Sequence, residues 1–393
     1  MSSDSTDRPD TRLIHVGRAP EKYAGAVNIP PFRASTILFP TLEALETYDP
    51  ALRSVRYGRT GNPSSHAFEA AMTELEGGHG AVSYASGLQA ITSALLAFLK
   101  AGDHLLMVDT TYGPTRTFCD GILARAGVVT EYFDPAIGAE ITSLIRPETA
   151  LIFLESPGSQ TFELQDVPAI ATAARQAGIV TMIDNTWAAG VLFKPLAHGV
   201  DISIQSATKY VGGHADASLG VAVAATQAHW LRLKKTAIEL GATASADELF
   251  LGLRGLRTLT TRLPRHQETG LALARWLQQQ PEVTRLRHPA LPGSPGHELW
   301  QRDFSGACGL FAFEMRKVPP AALAAMVNGM RLFGMGYSWG GFESLILPCD
   351  PTRIRTATPW QGDQLIRIHA GLEDPADLLA DLDAAFTRLR KAL

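Results

Sequence analysis

The chain has little of what would mark a secreted, metal-stapled or membrane-bound protein. Only three cysteines occur in 393 residues: Cys119, Cys308 and Cys349. They are far apart, with no CxxC pair and no histidine at ligand spacing. That argues against a disulfide framework or a metal site and fits a reducing compartment. There is no long basic run and the net charge is −4, so nucleic acid and anionic membranes are not expected partners. No apolar run approaches the roughly 20 residues that a membrane span needs. The opening MSSDSTDRPD is polar and acidic and lacks the basic start and apolar core of a signal peptide. Repeats and low-complexity linkers are also missing. A soluble, cytoplasmic protein is the expectation.

What is present is a large apolar fraction, 46 % against 19 % charged residues, ordinary for a globular chain with a sizeable core. At this length two domains are expected. The first sixty or so residues are rich in Pro, Gly and Arg and read as an extended arm (1–60). Over 61–255, short β-type runs (81–85, 104–109, 151–155, 179–184, 219–225) alternate with helical patterns (64–76, 88–100, 114–126, 167–177). Such alternation predicts an α/β domain with a mainly parallel sheet covered by helices. Over 256–393 the pattern is α+β: one long helix at 257–280 stopped by Pro281, an apolar run at 310–314, and helices at 319–330 and 375–393.

The most informative stretch is DISIQSATKYVGGH at 201–214. An apolar run ends in small hydroxylated residues, then Lys209, then a glycine turn. A lysine that forms a Schiff base needs such a setting, because its ordinary pKa of about 10.4 leaves it protonated at neutral pH. Ligands of open parallel sheets sit beyond the carboxyl ends of the strands. Asp184 closes the run IVTMID there, where it would hold a protonated pyridine nitrogen or merely cap a helix. Ser86-Gly87-Leu88 opens a helix whose N-terminus favours a phosphate. Ser206 and Thr208 flank the lysine within reach of the same phosphate. Tyr112 is placed to stack on a flat ring, and Arg367, in LIRIH, to clamp a carboxylate in a two-pronged contact.

With these residues in view the chain resembles the pyridoxal-phosphate enzymes of cysteine and methionine metabolism. The motifs that carry the likeness run in order along nearly the whole chain: YGRTGNP at 57–63, the SG pair at 86–87, TTYGPTRTF at 110–118, FLESPGS at 153–159, MIDNTWAAG at 182–190, the lysine segment, and RIHAGLED at 367–374. The resemblance implies the aspartate-aminotransferase-like fold type I and pyridoxal 5'-phosphate as cofactor. It implies that Lys209 carries the cofactor and moves protons, helped by Tyr112. Asp184, Tyr112, Ser206, Thr208, Gly87 and Leu88 would hold the cofactor. Tyr57 and Arg59 would reach the site of a neighbouring subunit, Tyr57 touching substrate as well, in a homotetramer with shared sites. Arg367 would grip the substrate carboxylate, with Ser338 and Trp339 beside it.

Within the family, GYSWGGFESLI at 336–346 is most similar to the branch that eliminates at the β-carbon of cystathionine, giving homocysteine, pyruvate and ammonia. Members acting at the γ-carbon usually lack a tryptophan at the position of Trp339. The γ-lyase, γ-synthase and cysteine desulfhydrase branches are the near alternatives. Three positions are unusual: Ala215 replaces a small polar residue, Phe250 replaces a substrate-contacting tyrosine, and Ser159 replaces the asparagine of many relatives. A remote alternative is a serine hydrolase, since GYSWG around Ser338 matches G-x-S-x-G, with Asp363 and His369 following in order. Against it, the residues after Ser338 read as a strand stopped by proline, where that elbow needs a helix.

Overall fold

The computed structural model describes residues 7–47 and 55–393. Among these, a seven-stranded sheet takes β1 (Gly80–Tyr84), β2 (His104–Val108), β3 (Val129–Phe133), β4 (Thr149–Glu155), β5 (Val180–Asp184), β6 (Ile202–Ser206) and β7 (Gly220–Ala224) in the order β1-β7-β6-β5-β4-β2-β3. The pairings β3–β2–β4–β5–β6 are all parallel, and β7 alone runs against its neighbours β6 and β1. Alternation along a strand explains the two cores. Leu106, Val108, Ile152 and Leu154 join the apolar cluster on one side, whereas Leu105, Met107, Leu151 and Phe153 join that on the other. Both faces being covered, the strands read as unbroken apolar runs.

The helices follow the strand pattern: α1 (Pro9–His15) and α2 (Leu42–Glu46) in the arm, then α3 (Pro63–Glu76), α4 (Gly87–Phe98), α5 (Gly113–Phe118), α6 (Val167–Gln176), α7 (Gln227–Glu239), α8 (Ala246–Leu256) and the long α9 (Leu259–Leu277). Most start on a side-chain cap: Asn62 forms a capping box on α3, and Ser86, Asp166, Thr226 and Ser245 accept from the first turns of α4, α6, α7 and α8.

A second, antiparallel sheet has the order β10-β11-β9-β8, built from β8 (Val283–Arg287), β9 (Leu310–Met315), β10 (Leu345–Cys349) and β11 (Gln364–His369). Between β8 and β9 lies α10 (His297–Asp303). Helices α9, α11 (Pro320–Asn328) and α12 (Pro375–Ala392) cover the sheet through Leu273, Met326, Phe386 and Leu389, packed with Phe311, Phe313, Ile366 and Ile368.

Two local expectations are corrected. The helix expected at 114–126 is a short α5 followed by a π-helical turn at Cys119–Leu123. The strand expected from Gly341 to a stop at Pro348 is β10, which begins at Leu345 and contains Pro348. β10 is an edge strand whose outer side is bridged to Gly334 at Leu345 and Ile346, and Pro348, beyond that bridge, costs no ladder bond. The described residues of the expected arm carry little regular structure beyond α1 and α2. It is tied down by buried Leu13 and Ile29, and it leaves Val27 62 % and Leu38 87 % exposed.

Candidate active site

Parallel strands bring their carboxyl ends to one edge, and three polar residues close adjacent strands there. Glu155 ends β4 directly beside Asp184, which ends β5, and Ser206 ends β6. Asp184 is buried, which pushes its carboxyl above the usual range, against the opposing pull of Thr186 and the Lys209 charge. Both Thr186 contacts, from its backbone N–H and its hydroxyl, fall on Oδ1. Glu155 is pushed up further, by burial and then by the charge of Asp184. It accepts from the backbone N–H of Tyr112 at 2.7 Å.

Lys209 lies three residues past the end of β6. Its Nζ donates to Ser338 Oγ at 2.8 Å and lies 5.3 Å from the centre of the Trp339 ring. Burial and the Arg367 charge outweigh Asp184 and bring its pKa down to about 8. Arg367 projects from β11 and uses one nitrogen, Nη2, to donate to the carbonyls of Gly336, Tyr337 and Ser338 at 3.2, 2.8 and 3.1 Å. That grip fixes the loop bearing Ser338 through a single guanidinium nitrogen. Burial lowers the Arg367 pKa, while the nearby Cys349 and Tyr112 groups raise it. Tyr112 precedes α5 and is 44 % exposed. Its phenol is pushed up by burial, Asp184 and Glu155, with Arg367 opposing.

The N-terminus of α4, at the other end of the site, is a cradle of close backbone approaches. A Cβ on Gly87 would sit 2.5 Å from Ser206 Cβ, and one on Gly220 would sit 2.1 Å from the Ser86 carbonyl. Side chains are thus excluded from the N-terminus of α4, whose backbone N–H groups and dipole suit a phosphate. Leu88 is half-buried in the first turn of α4. Ser206 stays partly accessible beside this turn. Thr208, expected beside the phosphate, is engaged with Leu219, just before β7. Its hydroxyl donates to the Leu219 carbonyl at 3.2 Å and accepts the Leu219 N–H at 2.9 Å, bracing the lysine turn.

The structure therefore brings together Lys209, Asp184, Tyr112, Arg367, Ser338 and Trp339 at one end of the site, and Gly87, Leu88 and Ser206 at the other. Tyr57 and Arg59 do not join them within this chain: Arg59 donates to the Ile238 carbonyl of α7 at 3.0 Å and lies 6.0 Å from the Tyr57 ring. The sequence reading singled out Asp184 but not Glu155, although the same signal, an acid closing an apolar run, marks both.

The hydrolase alternative fails on geometry. Ser338 Oγ accepts from Lys209, whereas the buried His369 meets Gly340, Gly341 and Tyr210. Asp363 bonds Thr284 just before the start of β11, and His369 ends that strand. The two lie roughly 20 Å apart along an extended chain.

These residues fit pyridoxal phosphate. A desolvated lysine with a lowered pKa faces a buried carboxylate that has a free oxygen. A glycine-lined helix N-terminus lies alongside. On a mainly parallel sheet, this is the plan of a fold type I pyridoxal-phosphate enzyme. The chain belongs to the Cys/Met metabolism PLP-dependent enzyme family, whose model matches residues 10–387. It is 47 % identical over 390 residues to a cystathionine β-lyase of Escherichia coli strain K12, covering 97 % of this chain and 98 % of that one. It is 46 % identical to a cystathionine β-lyase of Salmonella typhimurium, with 97 % and 98 % covered. A solved cystathionine γ-synthase of Xanthomonas oryzae, in complex with aminoacrylate and cysteine, superimposes with a TM-score of 0.91 at 31 % identity, covering 99 % of this chain and all of the other.

Proposed function

We propose that the chain catalyses β-elimination of L-cystathionine, with water, to homocysteine, pyruvate and ammonia. The observation that carries this reading is the Lys209 amine, held by Ser338 between Asp184 and Arg367 with its pKa brought to about 8. The 46–47 % identity to two cystathionine β-lyases over nearly their full length supports the β-carbon and the substrate. When bound, pyridoxal phosphate supplies an electron sink that acidifies the α-hydrogen of an amino acid. Asp184 keeps the ring nitrogen protonated, and Tyr112 covers the ring. Gly87, Leu88 and Ser206 hold the phosphate, with Thr208 bracing the turn. Arg367 grips the substrate α-carboxylate with its two-pronged fork, which draws Nη2 partly away from the loop carbonyls it holds. Lys209 removes the proton from the α-carbon and, as the ammonium, returns a proton to the departing homocysteine sulfur as the carbon–sulfur bond breaks. Tyr112 assists that transfer. Trp339 and Ser338 fix the direction of the lysine and shield it from water.

The same reading divides the chain into an arm (1–60), a cofactor domain (61–255) and a C-terminal domain (256–393), in a cytoplasmic homotetramer. Exposed Leu38, Leu42 and Leu45, and the separation of Tyr57 and Arg59 from Lys209, support an arm that completes a neighbour's site. The three free thiols support a reducing compartment.

The test is to incubate the pyridoxal-phosphate-loaded protein with L-cystathionine and identify the products by mass spectrometry. Homocysteine with pyruvate is expected. Cysteine with 2-oxobutyrate would overturn the β-carbon assignment in favour of γ-elimination.

A further inference from the structure

The loop carrying Ser338 and Trp339 is held by two residues of one strand. Arg367 and His369 are two apart on β11, so their side chains leave the same face. Arg367 takes the carbonyls of Gly336, Tyr337 and Ser338, and His369 takes the other end of the loop. Its Nε2 lies 3.1 Å from both the Gly340 N–H and the Gly341 carbonyl. A neutral ring serves one of them at a time, accepting from Gly340 in one tautomer and donating to Gly341 in the other. The loop is tied in either case. Its Nδ1 faces the hydroxyl of Tyr210, the residue after Lys209, at 3.5 Å. The ring is 1 % exposed and packs 5.8 Å from the Tyr210 ring and 5.3 Å from that of His266. There is no slack in the arrangement: Gly340, at φ +84°, leaves only 2.8 Å between a notional Cβ and the Tyr210 nitrogen.

Arg367 has a competing task. A guanidinium that clamps a substrate carboxylate must turn its donors toward it, and the loop carbonyls then lose part of their hold. His369 has no such partner and stays fixed.

We propose that His369 is a positioning residue for the lyase reaction, the standing anchor that keeps Ser338 and Trp339 against Lys209 while Arg367 engages the substrate. It touches neither substrate nor cofactor and acts through Gly340 and Gly341. The inference rests on the reading of Lys209 as the reacting lysine.

The test compares three variants. His369→Gln extends an amide to the place of Nε2, His369→Asn reaches only the place of Nδ1, and His369→Phe fills the space without polar atoms. Each is made in the wild-type and Ser338→Ala backgrounds. With the loop loosened, His369→Asn and His369→Phe lower kcat for cystathionine by ~10- to 100-fold with a smaller change in KM, the order that misplacement near reacting atoms costs. They also slow the uptake of pyridoxal phosphate by the apoprotein, followed by its visible absorbance. His369→Gln restores both to within about threefold, since its amide reaches the loop. In the Ser338→Ala background the Asn and Phe variants cost less than about threefold more, because the Ser338–Lys209 contact that His369 positions through Gly340 and Gly341 is already gone.

Equal losses for Asn and Gln, or full additivity with Ser338→Ala, would overturn the proposal. If the Phe variant does not fold, the Asn–Gln pair decides alone. Failure of the Lys209 assignment would read differently: Ser338→Ala would then leave both kcat and cofactor uptake unchanged.

Discussion

Lys209 shows how placement changes a side chain's chemistry. Its pKa of about 8 arises because burial and Arg367 disfavour the ammonium more than Asp184 favours it. The neutral amine is the nucleophile, so capture of pyridoxal phosphate by the apoprotein should rise about tenfold per pH unit up to ~8 and level above it. Stopped-flow absorbance checks this, and a plateau near 10 would show an ordinary lysine. The same shift has a stability consequence. A lysine with a depressed folded pKa is a destabilising charge below ~8, and the penalty fades as pH rises toward the unfolded value of about 10.5. Lys209→Met should therefore stabilise the apoprotein by about 1–3 kcal/mol at pH 7 and by less at pH 10, measured by denaturant unfolding. Arg367→Lys keeps the charge but loses the fork that grips three carbonyls with one nitrogen and leaves others for substrate. KM should rise ~10- to 100-fold in steady-state assays, with a weaker effect on kcat. Lys209, Asp184 and Arg367 were legible in the sequence because each sits at a strand end or in a short β-type run with a recognisable neighbourhood. The Ser338–Lys209 contact was not, since 129 residues separate the partners and no local pattern encodes the meeting.

Among the elements, those buried on both faces are the ones the sequence declares. The runs that became β2, β4 and β5 are mostly apolar and were expected within a residue or two. Strands β3 (VTEYF) and β8 (VTRLR) went unrecognised, because as edge strands with half-exposed faces they carry charged and hydroxylated residues. The reversed direction of β7 is set by a pairing with distant β1, which hydropathy does not record. One connection shows how the second sheet reaches the site. The segment after β10 docks on Asp109, just past β2, through Arg355 and the backbone N–H groups of Thr356 and Thr358, while Arg116 grips the same carboxylate. Burial pushes Asp109 up, but these donors outweigh it and hold it at about 2. Its stabilisation is thus present above the unfolded carboxylate value near 3.8 and is lost only as pH falls through about 2. Asp109→Asn takes the charge partner from the buried Arg116 guanidinium, while Arg355 keeps Glu163. It should cost about 3–5 kcal/mol in denaturant unfolding at pH 7. An unchanged midpoint would show that the segment is held by other contacts.

In the whole molecule, one chain brings Lys209, Asp184 and Arg367 together, yet keeps Tyr57 and Arg59 elsewhere. A site shared between subunits follows from the proposed assembly. Arg59→Ala should weaken retention of pyridoxal phosphate, and mixing it with Lys209→Ala protein under subunit exchange should recover roughly a quarter of wild-type activity, because half the sites in hybrid pairs are intact. No recovery after demonstrated exchange would confine the site to one chain.

Everything proposed rests on Lys209 as the residue that holds the cofactor. Borohydride reduction of the pyridoxal-phosphate-loaded protein, followed by digestion and peptide mass mapping, tests that directly. The account predicts the phosphopyridoxyl mass on the peptide containing Lys209 and on no other. The label on a different half-buried lysine, such as Lys234, with Lys209 unmodified, would contradict it.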